Sequence, residues 1–298
     1  MTVQSLPMLS DVDQAEVVAS APAAGPGNWA GAPSAVVVNG IVWLAYRVRR
    51  PLTNGRGVAV VIARSRDGVR FTKVATVRRE QFGADSLERP ALVKSDGIWR
   101  LFLSCATPGS KHWWIGVLEA TTPAELPQGH YSVALSGDEK RLAVKDPVVE
   151  LRHDGWRMWV CCHSLTEPGQ EDRMHTRLAH SEDGVGFTLG ETVLLPRAGE
   201  WDARGVRVTA VLDSAPLTVL YDGRPTAQAN CCEQTGVATT NGPATTLVAS
   251  SGPPSGSPHT DGALRYASIV TMSTGERRAY FEAARPDGAH DLFTQRVP

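Results

Sequence analysis

The sequence predicts an all-β protein, a single five-bladed β-propeller with four antiparallel strands in each blade. The first observation is a repeated order of features: a polar start, a proline, an apolar strand, a turn with glycine and a second strand led by tryptophan. The prolines of three such segments, Pro33, Pro90 and Pro147, are separated by 57 residues and again by 57. The second observation is a pair of near copies, SRDGVRFTKV from Ser65 and SEDGVGFTLG from Ser181, which lie 116 residues apart.

Five units of this length fill the chain as one domain, residues 1–298, with units that begin near residues 31, 88, 145, 202 and 262. Alternating apolar residues and Asp-Gly turns predict four strands per unit, which in the first unit are 36–39, 42–48, 58–64 and 70–77. Radial sheets of this kind leave only short edges exposed. The Ala/Pro/Gly stretch 20–27 is expected to be an entry segment, and 251–261 a surface excursion.

Composition narrows the function classes. A net charge of -1 argues against nucleic acid or an anionic membrane as partner, and no apolar run approaches the ~18 residues of a membrane span. The segment from Met1 to Ala24 lacks a basic start followed by an apolar block, so no secretory signal is expected. The five cysteines include two vicinal pairs and have neither disulfide-framework nor zinc-ligand spacing. They predict free thiols in a reducing, bacterial cytoplasm, with no metal and no cofactor.

The unit starts carry the candidate catalytic residues. In a four-stranded blade the first strand lines the central channel, so residues at the unit starts should meet around one funnel. Three carboxylates fall there: Glu88, Asp146 and Asp202. Glycosidic cleavage needs one carboxyl group to protonate the leaving oxygen and another to activate water or attack. Sequence neighbours such as Glu88 and Arg89 could instead pair with each other.

Further polar and aromatic residues are expected around the same funnel. The start of the last unit adds Arg265 to the inner ring formed by the unit starts. The ends of second strands and the starts of third strands supply two outer rings, of which the first includes Glu282. Tryptophans there offer flat faces for sugar stacking. The predicted substrate-binding residues are Trp29, Arg47, Arg89, Trp113, His175, Trp201, Arg204, Asp222 and Glu233. Other repeated residues have structural interpretations: Trp43, Trp99 and Trp156 as core, and Asp67 and Asp183 as turn formers.

These motifs resemble the five-bladed propeller glycosidases, which include glycoside hydrolase families 43, 32 and 130. The resemblance rests on inner strands that open with a polar-acid-Pro step, hairpins of the DG-x-W-x-L-x-Y kind and S-x-D-G-x-x-F-T turns, and it spans nearly the whole chain. It implies catalytic carboxylates at Asp146 in KDP and Glu88 in LERP. The first unit departs from the pattern, because Gly31-Ala32-Pro33 has no carboxylate.

Several functions remain open at this stage. The first is a glycoside hydrolase that uses Glu88, Asp146 and Asp202. The second is a glycoside phosphorylase similar to family 130, whose first blade also lacks the acid and leads into a "YR" strand, with phosphate held by cations such as Arg47, Arg89, Lys145 and Arg204. The others are a non-catalytic carbohydrate-binding propeller and a protein-binding scaffold, which would need an exposed apolar patch. The first three share a carbohydrate or glycoside as partner.

Overall fold

The structure is a computed structural model that describes Leu9, residues 12–241 and residues 245–298. Within these residues the chain forms twenty strands, four short 3-10 helices and no α-helix, which confirms the all-β prediction. The strands are β1 (Glu16–Ala19), β2 (Trp29–Val38), β3 (Ile41–Arg49), β4 (Gly57–Ser65), β5 (Thr72–Arg78), β6 (Leu87–Ser95), β7 (Ile98–Ala106), β8 (Trp113–Ala120), β9 (His130–Leu135), β10 (Leu142–Arg152), β11 (Gly155–Ser164), β12 (Met174–Ser181), β13 (Thr188–Leu194), β14 (Gly205–Ser214), β15 (Leu217–Arg224), β16 (Gln234–Thr240), β17 (Leu247–Ala249), β18 (Leu264–Thr271), β19 (Arg277–Ala284) and β20 (His290–Val297).

Consecutive strands pair antiparallel in groups of four. The first four groups are β2 to β5, β6 to β9, β10 to β13 and β14 to β17. The first strands of the groups contact one another in a closed cycle, β2 to β6, β10, β14, β18 and back to β2. They begin at residues 29, 87, 142, 205 and 264, each within three residues of the unit start expected from the repeat.

The last group is completed by the N-terminal strand. β18, β19 and β20 pair in order, and β1 then pairs antiparallel with β20 through Glu16 opposite Thr294. Glu16 also binds Arg278 of β19 at 2.9 Å. This strand was not predicted from the sequence, since it has only four residues, two of them exposed. Residues 1–8, 10 and 11, part of the segment searched for a secretory signal, lie outside the described residues.

Apolar side chains pack between neighbouring sheets. One cluster joins the β2–β5 and β6–β9 sheets around Trp99, where Trp43 meets it edge to face at 5.2 Å. Trp156 occupies the corresponding place in the next cluster, as the repeat predicted. The turn aspartates also behave as predicted: the Asp67 carboxylate accepts hydrogen bonds from the backbone of Val69 and Arg70. No helix of the described chain is long and apolar enough to cross a membrane.

Candidate functional site

The start of each first strand is irregular, and this irregularity places polar side chains on the axis. The pairing register shifts in all five first strands, for example between Gly31 and Ser34 in β2. Three residues at these bulges, Ala32, Asp146 and Tyr266, have left-handed backbone with φ of 50°, 55° and 57°. A bulge re-aims the side chains beside it. The five bulges therefore turn neighbouring side chains from the sheet faces toward the common centre.

A buried network of alternating charges fills this centre. We call it the central network, and its members are Arg47, Glu88, Asp146, Arg207, Asp222, Glu233, Arg265 and Glu282, each less than 9% exposed. The Arg47 guanidinium donates to Glu88 and, at 2.6 Å, to Glu282. Arg265 continues the chain, since it donates to Glu282 at 2.8 Å and to Glu233 at 2.5 Å.

Arg207 closes the network on its other side. Its guanidinium lies 3.4 Å from Glu233, 3.0 Å from Asp222 and 3.3 Å from Asp146. It also stacks on Tyr266, whose ring centre is 3.8 Å from the guanidinium carbon, while the Tyr266 hydroxyl donates to Asp146 at 3.5 Å. Every sheet thus contributes at least one member, and the guanidinium groups bridge different sheets.

The first sheet makes room for the network instead of adding a carboxylate to it. A Cβ on Gly31 would overlap the Glu282 side chain, so only glycine fits at this position. Ala32 beside it is fully buried. The first unit has no acid at its start, and the carboxylate of Glu282 from β19 occupies the space beside Gly31.

Opposing influences set the pKa values of these carboxyl groups. Burial alone would raise the pKa of Glu88, but the charges of Arg47, Arg49, Arg56 and Lys145 outweigh burial and lower it to about 2. Burial also raises the pKa of Glu233, but the charges of Arg207 and Arg265 outweigh burial. The pKa of Glu233 therefore lies well below its usual value. The pKa of Asp222 is raised, because burial outweighs its contact with Arg207.

Arg89 binds backbone carbonyl groups of three other first strands near the axis. Its Nη2 donates to the carbonyl oxygens of Thr209 at 2.5 Å, Ala267 at 3.2 Å and Pro33 at 3.5 Å. It therefore ties three first strands together and does not pair with its neighbour Glu88. Arg89 also lines a cavity of about 170 Å³ bordered by all five first strands. Burial lowers its pKa to about 10.

Two predicted tryptophans stand beside the network among cations. Trp29 stacks on His290, with ring centres 4.8 Å apart, and the Arg49 guanidinium carbon lies 3.9 Å from its ring centre. Trp113 has Lys145 at 5.4 Å and Arg56 at 5.5 Å from its ring centre. Both rings are 6% exposed.

The other predicted residues make their contacts elsewhere. Asp202 is buried, accepts from Arg197 at 2.9 Å and from the Tyr221 hydroxyl at 2.8 Å, and Trp201 stacks on Tyr221. Arg204 is half-buried and binds Asp172, whereas Arg207 enters the network. His175 is half-buried on β12 opposite Cys162, and burial lowers its pKa.

Comparison with known proteins supports the fold. No protein-family profile and no curated protein matches the sequence. Solved structures do match: a thermostable family-43 glycoside hydrolase at 14% identity and a TM-score of 0.70, with 94% of this chain and 92% of that chain covered. A glycoside hydrolase family 130 structure, described as targeting β-1,2 mannosidic linkages in Candida mannan, matches at 13% identity and a TM-score of 0.66. The match covers 99% of this chain and 95% of that chain. An α-L-arabinofuranosidase from Lactobacillus brevis matches at 13% identity and a TM-score of 0.67, with 90% of each chain covered. The chain therefore has the β-propeller fold of these glycoside hydrolases, as the resemblance predicted.

Proposed function

We propose that the chain is one propeller domain of five blades, four antiparallel strands each, in which β1 completes the last blade. The proposal is supported by the groups of four paired strands and by the closed cycle of their first strands. We also propose a cytoplasmic location, which the five free thiols favour.

We propose further that this glycosidase-like propeller binds a carbohydrate without cleaving it. The observation that carries this proposal is that every carboxylate of the central network is held by at least one guanidinium group. A general acid must hold a proton near neutral pH and present it to the leaving oxygen. Glu88, with a pKa of about 2, is ionised there. Asp222 has a raised pKa but is only 1% exposed.

The fold and the residues beside the central network support a carbohydrate as the ligand. The matching structures are described as glycoside hydrolases, and Trp29 and Trp113 stand beside polar groups at the network. Guanidinium and ammonium groups held beside buried aromatic rings can donate hydrogen bonds to sugar hydroxyl groups.

Hydrolysis is the second candidate, because one observation favours it. Glu88 and Asp222 belong to the same network, and their surroundings shift their pKa values in opposite directions. Such divergence is the usual sign of a base and an acid. In this alternative Glu88 is the base and Asp222 the acid.

The test combines turnover and binding. Wild-type protein is incubated with a panel of aryl glycosides, with and without phosphate, and binding of the same sugars is measured by titration calorimetry. We expect binding of at least one sugar and no release of the aryl group above the rate without protein. Release that disappears in Asp222→Asn, but persists in Glu119→Gln as a control outside the central network, would overturn the proposal. Release only with phosphate would indicate a phosphorylase.

A further inference from the structure

We propose that the mouth of the funnel contains a subsite for an anionic group, so that the bound saccharide carries a carboxylate, as in a uronate, or a phosphate ester. We call the residues of this subsite the cationic mouth: Arg49, Arg56, Lys145 and the indole of Trp113. The identity of the ligand as a saccharide rests on the proposed function, whereas the anion site itself does not.

The cations converge on one carboxylate from three strands or turns. Arg49, at the end of β3, places its Nε 3.7 Å from Glu88. Arg56 precedes β4, and Lys145 lies in β10. Arg56 and Lys145 meet at the Trp113 ring, and the charges of both contribute to the lowered pKa of Glu88.

This group of cations lacks matching negative charge. Glu88 is already bound by Arg47, so its single charge is shared among four cations. Lys145 makes no ion pair within the described residues, and the buried Nε of Arg56 has no hydrogen-bond partner there. A buried donor without an acceptor is costly, and cations that repel one another gain from an added anion. The cationic mouth is therefore short of negative charge and of hydrogen-bond acceptors.

Two of the cations lie beside the same indole. Arg56 and Lys145 lie at nearly equal distances, 5.5 and 5.4 Å, from the centre of the Trp113 ring. Both side chains are half-buried, so their charged groups are partly desolvated and still reachable. A guanidinium and an ammonium beside the same indole can together hold a carboxylate or a phosphate. Arg49 adds a third cation beside Trp29.

The experiment compares three probes, glucose, glucuronate and inorganic phosphate, by titration calorimetry at low salt. We expect glucuronate to bind at least about tenfold tighter than glucose, an advantage that shrinks as salt screens the charges. We expect Lys145→Met and Arg56→Gln each to weaken glucuronate and phosphate binding about tenfold. Lys145→Arg should retain most of the affinity, and melting curves of each variant verify that it is folded.

The chain supplies a matched control. The Lys94 ammonium also faces a tryptophan, 5.5 Å from the ring centre of Trp99, but lies outside the cationic mouth. Lys94→Met should therefore leave all three affinities unchanged. Phosphate binding that depends on Lys145, with neither sugar bound, would retain the anion site and refute the carbohydrate function. Equal binding of glucose and glucuronate, insensitive to Lys145→Met, or no binding of phosphate and glucuronate at all, would overturn the anion site.

Discussion

Glu282→Gln removes one charge from the middle of the central network with almost no change in side-chain volume. The Glu282 carboxylate is fully buried and accepts from Arg47 at 2.6 Å, from Arg265 at 2.8 and 2.9 Å, and from His290 at 2.9 Å. An amide retains one acceptor oxygen, but its NH2 group would face a guanidinium that has only donors. Arg47 would keep Glu88, and Arg265 would keep Glu233.

Removing one partner of a buried ion pair costs about 3–5 kcal/mol, because the remaining charges stay buried without compensation. Folded domains are stable by only about 5–15 kcal/mol, so we expect a large shift of the urea midpoint with an unchanged slope. The control is Glu119→Gln, which removes the ion-pair partner of Arg100; the Glu119 side chain is 21% exposed. That change breaks a single ion pair that is partly open to solvent, so it should cost less than Glu282→Gln. If Glu282→Gln costs as little as the control, the network does not hold the sheets together and the reasoning is wrong.

Two further predictions concern pH and strand closure. Burial lowers the pKa of His163 to about 4, so as the pH falls the unfolded chain binds this proton before the folded chain does. The free energy of unfolding should therefore decrease as the pH is lowered from 6.5 to about 4. The depressed pKa of Glu88, about 2, adds a second loss as pH falls from 4.5 towards 2, and urea midpoints that stay constant down to pH 3 would contradict both. Deletion of residues 1–20 should lower the melting temperature and cause aggregation, because it exposes the edge of β20 and removes Glu16 from Arg278. A soluble monomer with unchanged melting, measured by size-exclusion chromatography and thermal unfolding, would show that β1 does not complete the last sheet.

The repeat predicted the positions of the first strands because turns and core tryptophans recur with it. It failed in detail in the fourth unit, where ten residues, 195–204, separate β13 from β14. Only six residues, 136–141, separate β9 from β10. The longer loop shifts the register, so a fixed period points to Asp202 and Arg204, while Arg207 occupies the axis. A loop of variable length carries no period, and the sequence alone could not reveal this shift.

Ion pairing was the second part that sequence reasoning could not supply. Glu88 and Arg89 are adjacent, yet Glu88 binds Arg47 from another sheet and Arg89 binds backbone carbonyls. Successive residues of a strand point in opposite directions, so neighbours in sequence seldom pair. The signal for Arg265 and Glu282 was present, since both fall in the predicted rings, whereas nothing in the sequence marked Tyr266 as a bulge residue.

Under the proposed binding function, the carboxylates of the central network have a structural role and not a catalytic one. An acid that protonates a leaving group must gain and lose a proton in each cycle. A proton on Glu282 would uncouple Arg47 and Arg265, and a proton on Glu233 would uncouple Arg207, Arg224 and Arg265. The charges of these guanidinium groups hold the pKa values of both carboxyl groups well below their usual value. Carboxylates that stay ionised and paired in this way can hold the first strands around the axis. The cations of the cationic mouth carry more positive charge than Glu88 neutralises, and this excess is the reason for placing the proposed ligand there.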